Sequence, residues 1–180
     1  MFKRWLFCLA LPLVSFSAAA DSGAQFFIKL YSKTCAQYVN QPDALRAQLS
    51  KSGAPVLSEK KAAFFLDKKP GTVWVVPNVL GDFVIALDER QHCTVFARKL
   101  DKKHARSLFK DLVSEGPLPF SVAQLKDGKV SKLRNGVVKK LGYRWRNLET
   151  EETVYFTLLT AEQTTAEIQA QASVRPVQEE

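Results

Sequence analysis

The hydrophobic period of this chain changes at Pro70-Gly71, and that change separates what the two halves can form. Ahead of it, Phe26, Phe27, Leu30, Tyr31, Cys35 and Tyr38 recur at steps of three and four, the spacing of one helical face beginning after Asp21. Pro42 suits a first helical position, and Leu45 and Leu49 continue a second helix to a stop near Gly53. Ser58 is placed to cap a third, whose buried side is Ala62, Ala63, Phe65 and Leu66. Proline cannot continue a helix, so the pattern ends there.

Beyond the break the period is extended. Thr72-Val73-Trp74-Val75-Val76 reads as a strand, and 83–87 and 93–97 flank Asp88 to His92 as a hairpin with a five-residue loop. The apolar runs of this hairpin are nearly continuous, so both of its faces should be covered, one of them by the helices. Asp101 caps a fourth helix with Ala105, Leu108, Phe109, Leu112 and Val113 on one face, and Gly116 ends it. Pro117 and Pro119 lead into a second β region, where Asp127-Gly128 and Asn135-Gly136 are favoured two-residue hairpin turns. Strands are expected over 137–147 and 153–160. A last strand alternates Ala166, Ile168, Ala170, Ala172 and Val174 with polar residues, although its alanines would also permit a helix. The expected class is α+β: N-terminal helices packed on an antiparallel sheet, with one further helix between two strand groups.

The first residues read as an address. Lys3 and Arg4 precede an apolar stretch from Trp5 to Phe16, and Ser17-Ala18-Ala19-Ala20 supplies the small residues a signal peptidase needs. Residues 1–20 are therefore expected to be a signal peptide, 21–175 a single periplasmic domain, and 176–180 a frayed tail. Cys8 follows Phe7 inside the apolar stretch, which is not the setting of a lipoprotein acceptor, so the mature chain is expected to be soluble. No apolar run reaches the roughly 20 residues of a membrane span. Cleavage leaves two cysteines, Cys35 and Cys93, entering an oxidising compartment as a pair. A disulfide closing about 58 residues is worth roughly 4 kcal/mol in the chain-entropy model. A reactive thiol or metal pair is the rival reading, disfavoured because no CxxC or adjacent His-Cys cluster occurs.

Several phrases in order carry a resemblance: Phe26-Phe27-x-Lys29-Leu30, Ala62-Ala63-x-Phe65-Leu66, Gly71-x-x-Trp74-x-Val76-Pro77, Cys93-x-Val95-x-Ala97-Arg98, Tyr143-x-Trp145 and Phe156-Thr157-Leu158. Through them the chain resembles a family of small exported, uncharacterised proteins of Gram-negative bacteria. The resemblance implies a periplasmic compartment and a disulfide, and no activity.

Charge is uneven. Residues 98–146 hold fourteen basic and four acidic groups, whereas 147–180 hold one and seven. Lys102, Lys103 and Arg106, at the start of the fourth helix, form a candidate basic patch for an envelope protein or an anionic envelope component. The competing and favoured reading is a set of solvated faces, because the alternation of Arg144-Trp145-Arg146 puts both arginines opposite a core face holding Tyr143 and Trp145. Nucleic acid is the weaker partner, since export removes the usual targets and the basic residues are not interleaved with aromatics.

Catalysis finds little purchase. His92 and His104 are the only histidines, and in a strand His92 and Cys93 point to opposite faces. Carboxylate pairs such as Asp82 with Asp88, or Glu151 with Glu152, are commonplace in turns. No nucleophile motif, phosphate loop or metal-ligand spacing is present, so no catalytic residue, metal or cofactor is expected. Two readings remain: a non-catalytic periplasmic module that binds, inhibits or assists an envelope protein, and a small hydrolase or ligand-binding protein acting on cell-wall or lipid material.

Overall fold

A computed structural model describes residues 17–133 and 136–177. Residues 1–16 of the expected signal peptide lie outside them. α1 (Ser17–Tyr31) runs unbroken through Ala20-Asp21 and opens into a π-helical turn, Ser32–Ala36, where Thr34 Oγ1 donates to Leu30 O at 2.6 Å. α2 (Pro42–Lys51) and α3 (Glu59–Phe65) follow, then β1 (Gly71–Asn78), β2 (Gly81–Asp88) and β3 (Cys93–Ala97). α4 (Lys102–Val113) separates these from β4 (Phe120–Gln124), β5 (Gly128–Leu133), β6 (Gly136–Asn147), β7 (Thr153–Ala161) and β8 (Ala170–Pro176). The α+β class is as expected. No helix among the described residues is long and apolar enough to cross a membrane.

The two caps differ. Asp101 accepts from the His104 N–H at 2.8 Å, as its position requires. Ser58 occupies the N-cap of α3 but makes no side-chain capping bond; its backbone carbonyl accepts from Lys61 and Ala62 instead.

All strands pair antiparallel in the order β1-β2-β3-β8-β7-β6-β4, with β5 also on β6. Asp127-Gly128 is not a hairpin turn. β4 pairs with Tyr143–Asn147 and β5 with the opposite half of the same β6 edge, and Leu125 N–H donates to Gly142 O (2.8 Å) between them. The twelve-residue β6 therefore accepts two successive segments running the same way, and the chain need not reverse at Asp127. Asn135, of the second expected turn, lies outside the described residues. The last strand is extended, not helical, but begins at Ala170 rather than Ala166. Val177 N–H still donates to Thr153 O (2.8 Å), and 178–180 lie outside the described residues.

Alternation sorts the sheet into two faces. Cys93, Val95 and Ala97 of β3 lie in register with Val174, Ala172 and Ala170 of β8. Those in turn lie beside Phe156, Leu158 and Thr160 of β7. α1 and α4 pack on this face, where Phe27, Tyr31 and Phe109 are fully buried and the Tyr31 and Phe109 rings stand 5.8 Å apart. The Tyr31 hydroxyl donates to Ser173 O (3.0 Å), and Trp145 Nε1 donates to Val113 O at the end of α4 (2.8 Å). Tyr143 is buried while Arg144 and Arg146 are exposed, as the alternation requires. The Cys35–Cys93 disulfide spans 5.3 Å between Cα atoms and ties the π turn to the start of β3.

A smaller core lies on the other face. Ala62 and Leu66 at α3 bury Val73, Ala86 and Phe96. Gly71 lies opposite Asp88 in the β1–β2 ladder, where a Cβ would come within 2.5 Å of Leu87 O and 2.8 Å of Asp88 Cα. The glycine that ends the helical half is thus also needed for close approach in the sheet.

Candidate ligand-binding groove

α3 has seven residues, a helix about 10 Å long, and its short reach decides what the second face leaves open. It covers β1 to β3 and stops. On the rest of that face β3 presents Thr94 and Phe96, β8 presents Gln171, Ser173 and Arg175, and β7 presents Tyr155, Thr157 and Leu159. Two cavities of about 220 and 230 Å³ adjoin there, and Phe65, Asp67, Phe96 and Gln171 line both. Together they form a groove along the strands. From Leu159 to Tyr155 along β7 it runs about 13 Å.

The ends of the groove differ in chemistry. At one end Phe64, Phe65, Phe96, Leu159 and Ile168 make an apolar trough, with Phe65 edge-on to both Phe64 (5.0 Å) and Phe96 (5.2 Å). At the other, Lys69, Asp88, His92, Tyr155 and Arg175 meet. Asp88 is 5 % exposed; its Oδ1 accepts the His92 backbone N–H (2.9 Å), and its Oδ2 faces His92 Nδ1 at 3.3 Å. This engages one ring nitrogen and leaves Nε2 for a ligand. Arg175 stacks over the Tyr155 ring at 5.2 Å.

Burial pushes the His92 imidazole below its ordinary pKa. Asp88 opposes this, while Lys69, Arg175 and Arg90 add to it. The folded state therefore binds the His92 proton less readily than the unfolded chain. Its stabilising contribution is complete above the unfolded value of about 6.5 and is lost as pH falls through that value toward the lower folded one. The pH dependence of the urea midpoint between neutral and mildly acidic conditions should consequently flatten in His92→Gln. An unchanged slope would show that His92 is not held neutral.

The pair is oriented, but among the described residues no hydroxyl is hydrogen-bonded to its imidazole. Ser173 shares the cavity, and its Oγ donates to Thr157 O (3.5 Å) rather than to the imidazole. Cys93 points to the opposite face, in the disulfide. His104 belongs to α4 on the helical face, so the two histidines are not brought together. Asp82 and Asp88 sit at opposite ends of β2, and Glu151 is engaged by Arg146 at 2.9 Å. Among the described residues no three His, Cys, Asp or Glu side chains converge on a metal position.

The basic helix start is largely engaged inside the protein. Lys102 Nζ donates to Glu162 O (3.1 Å) and Gln163 O (3.4 Å), tying α4 to the segment before β8. Arg106 donates to Lys139 O (3.3 Å) and approaches Asp127 at 3.9 Å. Lys103 is the exposed member of the three.

In the sequence His92 stands beside Cys93 and Asp88 matches Asp82 as a carboxylate pair, and the pairing of His92 with Asp88 is missed. A signal existed: a strand-ending Asp and a strand-preceding His flank one hairpin loop. Lys69 and Arg175, more than a hundred residues apart, offered none.

No family model matches the chain, and no curated protein or solved structure matches it.

Proposed function

We propose that this protein is an exported, non-catalytic binding module of the bacterial envelope, resident in the periplasm after signal-peptide removal. Its binding surface is the groove on the open face of the sheet. One observation carries this reading: α3 covers only part of that face, leaving an apolar trough continuous with a polar end. Sites of this kind combine apolar lining with a few placed polar groups. The disulfide supports an oxidising compartment. An envelope protein or an anionic envelope component remains the proposed partner class.

A small hydrolase acting on cell-wall or lipid material is the second reading. It is favoured by the buried carboxylate that orients His92. The absence of a hydroxyl bonded to His92 among the described residues favours binding over turnover.

The test is capture from native periplasm with the oxidised mature protein, with Leu159→Lys in the trough and Lys103→Glu on α4. Lys103 is preferred to the full basic patch because Lys102 and Arg106 hold internal bonds. Loss of the captured component in Leu159→Lys, with an unchanged melting temperature, is the expected result. Loss only in Lys103→Glu would move the surface to the basic helix start. Substrate turnover abolished by His92→Ala would replace the binding reading with the hydrolase.

A further inference from the structure

We propose that the groove binds an anionic amphiphile, with an unbranched acyl chain along the Phe65–Phe96–Leu159 trough and a carboxylate or phosphate head between Lys69 and Arg175. The inference rests on the binding-module reading and names the ligand class for it.

The charge at the polar end is arranged for an anion. Asp88, the buried carboxylate there, is already engaged by His92 through both oxygens. Asp67, at the junction of the two cavities, is engaged within the protein. Lys69 and Arg175 form no ion pair among the described residues. Arg175 is held from one side by the Tyr155 ring, so its planar donor fork is fixed without being consumed by a carboxylate. His92 adds a ring nitrogen at the same end. With Nδ1 turned to Asp88 and the ring held below its ordinary pKa by burial, Nε2 is an acceptor that can take a hydrogen bond from a protonated phosphate head without adding a third charge.

The floor argues for a hydrocarbon chain over an extended peptide. A peptide docking on a sheet gains most from main-chain hydrogen bonds at an exposed edge. β3, β8 and β7 are interior strands, paired on both sides, and have no unpaired edge to offer. What they present to the groove is side chains alone. Phe65, Phe96, Leu159 and Ile168 can bury methylenes but cannot satisfy a peptide backbone.

The experiment is calorimetric titration of the oxidised mature protein with octanoate, decanoate and dodecanoate below their micellar concentrations. Dodecyl phosphate, dodecyl maltoside, inorganic phosphate, and phosphatidylglycerol vesicles are titrated alongside. Affinity should rise about fourfold per added methylene if the chain is buried. The anionic dodecyl compounds should bind at least tenfold more tightly than the maltoside, and inorganic phosphate should not bind measurably. The double change Lys69→Gln, Arg175→Gln should remove the preference for the anionic head. Both positions are exposed, so the fold is expected to tolerate it, and an unchanged melting temperature checks this. Free amphiphile bound without vesicle binding identifies a released acyl chain as the source, and vesicle binding lost in the double variant identifies a membrane lipid headgroup.

Equal affinity for neutral and anionic heads, or no effect of the double change, would overturn the assignment. Should no amphiphile bind while Leu159→Lys still abolishes capture from periplasm, the ligand class fails and the binding module stands. Failure of both measurements removes the groove from the account altogether.

Discussion

Replacing Cys35 and Cys93 together by Ala should lower the unfolding free energy by about 4 kcal/mol, the value expected for a loop of this length. The bridge joins residues 58 positions apart, and both cysteines are buried, so Ala at each site exposes no new polar group. The effect acts chiefly on the unfolded chain, which regains the freedom that the cross-link denies it. Urea unfolding of the oxidised parent against the double variant measures it directly, and a loss below about 1 kcal/mol would contradict the entropic account. A local consequence follows as well. Cys93 begins β3, and its neighbour His92 opens on the other face beside Asp88, so the bridge anchors from behind the hairpin that carries the polar end of the groove. The His92 and Asp88 backbone amides should exchange with solvent faster in the double variant than those at the centre of β2.

Phe109→Ala should cost about 3–5 kcal/mol, the range for truncating a fully buried aromatic side chain. Phe109 is 0 % exposed, in the apolar stripe of α4 with Ala105 and Val113, and its ring meets Tyr31 of α1 at 5.8 Å. Truncation leaves a cavity where the two long helices meet above the sheet. Leu118→Ala is the matched control, since Leu118 is 93 % exposed and should change stability by no more than about 0.5 kcal/mol. A similar small effect at Phe109 would mean that α4 is not seated on α1.

Much of the fold was legible because periodicity reports which residues share a face. The steps of three and four from Phe26 to Tyr38, the Asp101 cap and the alternation around Trp145 all have direct counterparts in the structure. The disulfide was legible for a different reason: once residues 1–20 are set aside, two cysteines have only each other to pair with. The expected turn at Asp127-Gly128 failed because dipeptide chemistry says that a chain can reverse there. It does not say that a long neighbouring strand offers room to continue. Ser58 does stand at the N-cap of α3, but without a side-chain bond, since a capping residue type does not guarantee that its hydroxyl turns inward.

The groove was not legible at all. Its residues come from β3, β7, β8, α3 and the segment after it, and β3 reaches β8 only because the strands between them in sequence are placed elsewhere in the sheet. Sequence by itself determined the helices, the strands of the first hairpin and of 137–160, the inward faces of α1 and α4, and the pairing of Cys35 with Cys93, all properties of local spacing or of a count. The tertiary structure alone decided which strands are neighbours, how far α3 extends over them, and therefore that Lys69, His92 and Arg175 line one cavity. Those are consequences of packing between distant segments, and no local pattern encodes a distance between residues that only folding brings together.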